Sequence, residues 1–165
     1  MFNQAVARAS TGSSDLARCL DGLAISLLDR YARTGERSDL QEGTLRYGQA
    51  CDTGLESDLE SGLAAGRRWG QWASANAQWS DAARAYGYAR QAATGLFRRQ
   101  LLRRHKEAWL REAQGLPAQA AYALTRAGDP DEAVVAVESG RAQLLSEALE
   151  RDRADLVACQ LCIAG

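Results

Sequence analysis

Apolar residues recur along the chain at intervals of three and four positions, which places them on one face of an α-helix. No stretch shows the alternation of apolar and polar residues that is typical of half-buried strands. The pattern therefore predicts an all-α protein whose helices are separated by glycines. Helices are expected at 14–34, 39–53 and 58–77, from 80 with a bend between 97 and 106, in a fifth segment ending near 127, and at 131–152.

Three predicted helix starts carry a capping box, in which a short polar side chain caps free backbone N–H groups and a later Glu or Gln reaches back. In the best defined of them, Asp129 caps the helix and Glu132 completes the box. Gly128 can end the preceding helix in a left-handed turn. A sharp corner between two helices is expected there. The other two boxes pair Ser38 with Gln41 and Ser57 with Glu60.

Small residues repeat at fixed intervals, and antiparallel helices approach closely only where small side chains face each other. Intervals of 12 and 7 residues separate Gly70, Ala82 and Ala89, and again Ala121, Ala133 and Gly140; a longer first copy has Ala24, Gly43 and Ala50. We expect the helices to touch at Gly70 with Ala82, and at Ala121 with Ala133. Large residues beside the small ones, Trp69, Trp79 and Tyr86, are then interpreted as packing residues, and Trp72 as exposed or shared with a neighbour.

This arrangement resembles the tetratricopeptide repeat family, with "WGQWASANAQWSDAARAYGYARQA" as its best unit and "AQAAYALTRAGDPDEAVVAVESGRA" as the next. Three further stretches, "LAISLLDRYARTGERSDLQEG", "LFRRQLLRRHKEAWLREAQGLPAQAAYAL" and "ESGRAQLLSEALERDRADL", are similar to the repeat region that precedes the caspase-like CHAT domain in actinobacterial proteins. The resemblance implies antiparallel helix hairpins in a right-handed solenoid. The period of 51 residues, against 34 in the family, implies elongated helices.

The resemblance divides the chain into a repeat domain at 14–156, a tail at 157–165 and a segment at 1–13, expected to be flexible or the remnant of a preceding repeat. Relatives continue past a segment like "DRADL" into the protease domain, whereas this chain ends nine residues later. We therefore expect a regulatory fragment related to CHAT protease systems, without the protease activity itself.

In tetratricopeptide domains the first helix of each hairpin lines a groove that binds a peptide. The resemblance thus implies a non-catalytic scaffold or adaptor with a protein or peptide partner. Carried onto this chain, the groove presents Arg67, Gln71, Ser74, Tyr122, Thr125 and Arg126. Arginine and tyrosine suit an acidic or carboxylate-ended partner, because a guanidinium binds a carboxylate through two hydrogen bonds. A solvated surface that binds nothing is the alternative.

Charge is balanced, with 20 Lys and Arg against 21 Asp and Glu, so nothing in the sequence favours nucleic acid as a partner. Apolar runs stay short of the roughly 20 residues that span a membrane. The start lacks the features of a signal peptide, so a cytoplasmic location is expected. One basic patch consists of Arg98, Arg99, Arg103, Arg104 and Lys106. This patch is either a salt-bridged exposed helix or a surface for an acidic partner.

The residues that could carry chemistry are few. Cys159 and Cys162 form a C-x-x-C near the end of the chain, while Cys19 and Cys51 stand 32 residues apart. A zinc site of four thiolates would need a second close pair of cysteines, so this spacing does not favour one. His105, the single histidine, has no local partner motif. We expect reduced, chemically idle thiols and neither a metal nor a cofactor.

Two alternative functions stay open. A small helical enzyme or a processed substrate would use the C-x-x-C. A self-associating module would form a homo-oligomer through the apolar tail "VACQLCIAG", since terminal repeats usually need a polar cap.

Overall fold

The structure is a computed structural model that describes residues 14–99 and 115–142, together with 145, 146 and 149. Within these residues the backbone is helical apart from short turns, so the predicted all-α class is confirmed. The helices are α1 (Ser14–Thr34), α2 (Arg37–Ser57), α3 (Leu59–Ala75), α4 (Trp79–Arg99), α5 (Leu116–Ala127) and α6 (130–142), with helical backbone again at 145, 146 and 149. The expected end segments, 1–13 and 157–165, lie outside the described residues. Most of the range 97–106, where a bend is expected, also lies outside them.

The helix α2 is longer than the predicted 39–53, because Gly54 does not end it. Gly54 lies inside α2 and Gly62 inside α3, at the point where these helices cross. A Cβ atom on Gly54 would lie 2.5 Å from the Cα atom of Gly62. Both glycines therefore serve close helix contact rather than chain reversal.

Two of the three predicted capping boxes are wrong. Ser38 lies within the first turn of α2, whose N-cap is Glu36 without a side-chain cap. Ser57 ends α2 and donates to the carbonyl of Thr53, while the neighbouring Asp58 caps α3. The cap at Asp129 is confirmed, because its carboxylate accepts from the Glu132 N–H at 3.2 Å.

Successive helices form the main contacts of the fold. The most extensive are α1 with α2 and α3 with α4, and smaller contacts join α1 with α3 and α2 with α4. One hydrophobic core runs through these contacts and consists largely of alanines with a few larger side chains. Small core residues let the helix axes lie close together.

Ion pairs connect the helices at two positions. Arg30 of α1 holds the buried Asp39 of α2 through two hydrogen bonds, one of them from Nε at 2.5 Å. This guanidinium keeps the pKa of Asp39 below its usual value. Arg68 of α3 pairs with Asp21 of α1, where burial outweighs the arginine and raises the carboxyl pKa.

The turn between α3 and α4 has the same hydrogen bonds as the turn between α5 and α6. In the first, Gln78 N–H donates to the carbonyl of Ala73 at 2.8 Å, around a left-handed Ala77. In the second, Asp129 N–H donates to the carbonyl of Leu124 at 2.9 Å, around a left-handed Gly128. Both are Schellman turns, and they lie 51 residues apart.

The close crossings of these two hairpins also correspond. A Cβ atom on Gly66 would lie 2.9 Å from the backbone nitrogen of Ala89, and one on Gly140 would lie 2.5 Å from Cγ of Pro117. Each pair is separated by 23 residues (66 to 89, 117 to 140), and the second is displaced from the first by 51. The hairpins thus share a turn and a register.

The contact at Gly70 differs from the predicted one. The atoms nearest to a Cβ at this position belong to the ring of Tyr86, not to Ala82. An antiparallel register that joins Gly66 to Ala89 brings residues near 86 opposite 70, which explains the difference.

Among the described residues, no helix is long and apolar enough to cross a membrane.

Candidate functional site

The six predicted groove residues divide between two helices. Arg67, Gln71 and Ser74 lie on α3, where Gln71 is exposed and the other two are half-buried. On α5, Tyr122, Thr125 and Arg126 are all exposed. Thr125 turns its hydroxyl to the carbonyl of Ala121 in its own helix, at 2.8 Å. Tyr122 and Arg126 of α5 both contact a residue of another helix.

That partner is Trp79, the first residue of α4. The Arg126 guanidinium lies over the Trp79 ring, 4.4 Å from its centroid. The rings of Trp79 and Tyr122 meet edge to face with centroids 5.6 Å apart. Arg126 Nη1 also donates to the Tyr122 hydroxyl at 3.0 Å. We call Trp79, Tyr122 and Arg126 the Trp79 cluster.

The Trp79 cluster holds its arginine in one orientation. Stacking on an aromatic face and one hydrogen bond restrict the guanidinium, while four of its five N–H groups are left for other acceptors. Within the described part of the chain, no carboxylate lies at ion-pair distance from Arg126. The charge is therefore fixed in position and open to an anionic group from outside.

A shallow cleft of about 390 Å³ borders the cluster. Its walls include the left-handed turn at Ala77 and the side chains of Trp79 and Arg126. The carboxylate of Asp81 also lines it and pairs with Arg84 at 2.9 Å. The cleft thus combines an aromatic edge, a fixed guanidinium and a carboxylate that is already paired.

Trp69 lies in a different environment, and its interpretation as a packing residue is confirmed. It is fully buried, and the Tyr47 ring stacks on it with centroids 6.2 Å apart. Arg84 covers it from outside, with the guanidinium carbon 4.7 Å from the ring centroid. Tyr88 packs at an angle beside it and bonds the Asp52 carboxylate, which raises the pKa of Tyr88 to about 12.

The three other aromatic predictions have mixed outcomes. Tyr86 is buried against Gly70, as a packing residue should be. Trp72 is half-buried against the core, and Trp79 is half-buried at the junction of α4 with α5. Trp79 is thus not a core residue of its hairpin, and the sequence pattern gave no sign of its contact with Arg126.

Of the residues that could carry chemistry, the described part contains Cys19 and Cys51. Cys51 is fully buried, which raises its pKa to about 12 and keeps the thiol protonated at neutral pH. Arg98 and Arg99 of the basic patch are exposed at the end of α4. The remaining patch residues Arg103, Arg104 and Lys106, the histidine His105, and the pair Cys159 and Cys162 lie outside the described residues.

No family model, no curated protein and no solved structure matches this chain.

Proposed function

We propose that this protein is a non-catalytic interaction module, a scaffold or adaptor of tetratricopeptide-like helix hairpins, that docks an acidic or carboxylate-ended peptide of a protein partner. The repeat character is supported by the two hairpins that share a Schellman turn and a crossing register at a displacement of 51 residues. Stacked hairpins of this kind present one set of helices as a continuous binding surface.

The observation that carries the proposal is the Trp79 cluster. An incoming carboxylate meets a guanidinium that is already oriented, so little side-chain entropy is lost when the bonds form. The exposed ring of Tyr122 offers apolar contact beside the charge. Arginine, tyrosine and tryptophan together are the residue types that dominate binding energy at protein interfaces.

The binding surface proposed on this basis is centred on α5 and the start of α4. Arg67, Gln71 and Ser74 of α3 extend it as the tetratricopeptide resemblance implies, with Gln71 the most accessible of the three. The motif resemblance also suggests the biological setting, a regulatory component of a CHAT protease system.

A peptide library with free carboxyl termini tests the proposal. We expect selection to enrich acidic side chains or a terminal carboxylate, and Arg126→Glu to weaken the selected peptide at least about tenfold. Arg18→Glu is the matched control, because Arg18 is likewise an exposed arginine but lies on α1. Circular dichroism checks that both variants stay helical. Equal binding by wild type and Arg126→Glu would remove the Trp79 cluster from the proposal.

A further inference from the structure

The outer face of α6 and of the described helical residues that follow it carries apolar side chains that the fold leaves in solvent. Val134, Val135, Leu145 and Leu149 are 62%, 55%, 64% and 68% exposed. Ala133 and Ala136, on the opposite side of α6, are buried against the rest of the protein. The exposed aliphatic residues therefore face away from the core. Four large exposed aliphatic residues so close together in the chain need an explanation that scattered single residues do not.

Spacing places Val134, Leu145 and Leu149 in one stripe with two charges at its centre, and Val135 lies about 40° outside its edge. The described residues between 130 and 149 are all helical, and at about 100° per residue the stripe spans an arc of roughly 100°. Glu138 and Arg141 are both exposed and pair within the helix at 2.9 Å. In chain order the stripe consists of Pro130, Val134, Glu138, Arg141, Leu145 and Leu149.

We propose that this stripe is a self-complementary surface through which two copies of the chain pair with their α6 helices antiparallel. A two-fold axis midway between Glu138 and Arg141 places Glu138 of one copy opposite Arg141 of the other. The same axis places Val134 opposite Leu145. Pro130 and Leu149 meet at the two ends, so apolar residues face apolar ones and each carboxylate faces a guanidinium.

The distribution of charge is what favours a second copy as the partner. An isologous interface must be complementary to itself, which requires unlike charges at equal distances from its centre. Glu138 and Arg141 meet this condition only in the antiparallel orientation, because parallel helices would bring like charges together. The pairing does not depend on the proposed peptide site, which is centred on α5 and the start of α4 and extends to α3.

In the proposed pair each copy contributes one stripe, which as a continuous helix would measure about 28 Å at 1.5 Å per residue. Such a contact is at the small end of stable protein interfaces. We therefore expect a reversible monomer–dimer equilibrium rather than a permanent dimer. Sedimentation velocity from about 1 μM to about 1 mM should show the transition. A monomer throughout this range would overturn the proposal.

Charge reversal tests the predicted pairing directly. Glu138→Arg and Arg141→Glu should each weaken self-association at least about tenfold, because like charges then face each other. An equimolar mixture of the two variants should form heterodimers, and the double variant that carries both changes should associate like wild type. A mixture that stays monomeric, or a double variant no better than the single ones, would contradict the antiparallel register.

An apolar substitution tests the stripe independently of charge. Leu145→Asp should abolish the dimer, whereas Leu45→Asp should leave it unchanged, since Leu45 is 53% exposed but lies on α2. Both sites are in solvent, so both variants should keep the wild-type helical circular dichroism. A dimer that tolerates Leu145→Asp would show that copies associate through some other surface.

Discussion

The two Schellman turns differ in the residue at their left-handed position, and this difference predicts opposite effects of exchanging it. Ala77 has φ 55° and Gly128 has φ 93°. A side chain with a Cβ atom is disfavoured in this region, where glycine is not. We therefore expect Ala77→Gly to stabilise the protein and Gly128→Ala to destabilise it.

The magnitude follows from two opposing terms. The left-handed conformation costs an L-residue about 1–2 kcal/mol. Glycine in place of alanine costs about 0.4–1 kcal/mol through the greater freedom of the unfolded chain. No atom lies within 4 Å of a Cβ built on Gly128, so packing adds nothing there. The net change is about 1 kcal/mol for Gly128→Ala and about 0.5–1 kcal/mol, with opposite sign, for Ala77→Gly.

Urea denaturation followed by circular dichroism measures these differences, and thermal melts should shift by about 2–4 °C per kcal/mol. Gly87→Ala is the control, because a Cβ there also meets nothing within 4 Å but the residue is inside α4. That change should stabilise by about 0.5–1 kcal/mol through helix propensity. If Gly128→Ala stabilised the protein as Gly87→Ala does, the reasoning from backbone conformation would be refuted.

Three further predictions concern helix contact, pH and the peptide site. Gly66→Ala should destabilise by about 1–3 kcal/mol in a urea titration, because its Cβ would enter the backbone of α4, whereas Gly87→Ala does not. The pKa of Asp39 is lower in the folded protein than in the unfolded chain, where it is about 3.9. Its ion pair with Arg30 therefore stabilises the protein fully above the unfolded-state pKa, and this stabilisation is lost as pH falls through the folded-state pKa. The destabilisation by Asp39→Asn should accordingly be full at pH 7 and disappear in acid. Asp21→Asn should instead raise stability at pH 7, because burial raises the pKa of the Asp21 carboxyl and makes its ionised form unfavourable. Equal pH profiles for the two variants would contradict this assignment. Tyr122→Phe removes the hydroxyl that accepts a hydrogen bond from Arg126. The affinity for the selected peptide, measured by fluorescence anisotropy, should fall by a factor of about 5–10. Unchanged affinity would count against a role for this hydrogen bond.

The sequence was sufficient to predict the helices and the turn at Gly128, because periodicity and a Gly-Asp-Pro sequence are local signals. Local signals did not distinguish the two uses of glycine. The predicted helix 39–53 ends just before Gly54, although Gly54 lies inside α2 and lets this helix approach α3 at Gly62. Whether a glycine ends a helix or lies at a crossing depends on the neighbouring helix, which the local sequence does not contain.

The candidate site was predictable only in part for the same reason. Arg126 and Tyr122 were implied by the tetratricopeptide resemblance, in which the first helix of each hairpin lines the groove. Trp79 was assigned to packing, and its contact with Arg126 depends on how α5 docks against the start of α4. The left-handed Ala77 carries no sequence signal of its own, because alanine is disfavoured there.

The most direct test of the proposed peptide site is an NMR titration of the ¹⁵N-labelled protein with the peptide selected from the library. Trp79 lies in the cluster, while Trp69 is fully buried beneath Arg84, so their indole N–H signals report on different places. Binding at the cluster predicts that the Trp79 indole signal and the Arg126 side-chain signals move with peptide concentration while the Trp69 indole signal stays in place. Shifts at Trp69 without shifts at Trp79, or saturation of binding with neither Trp79 nor Arg126 affected, would contradict the account.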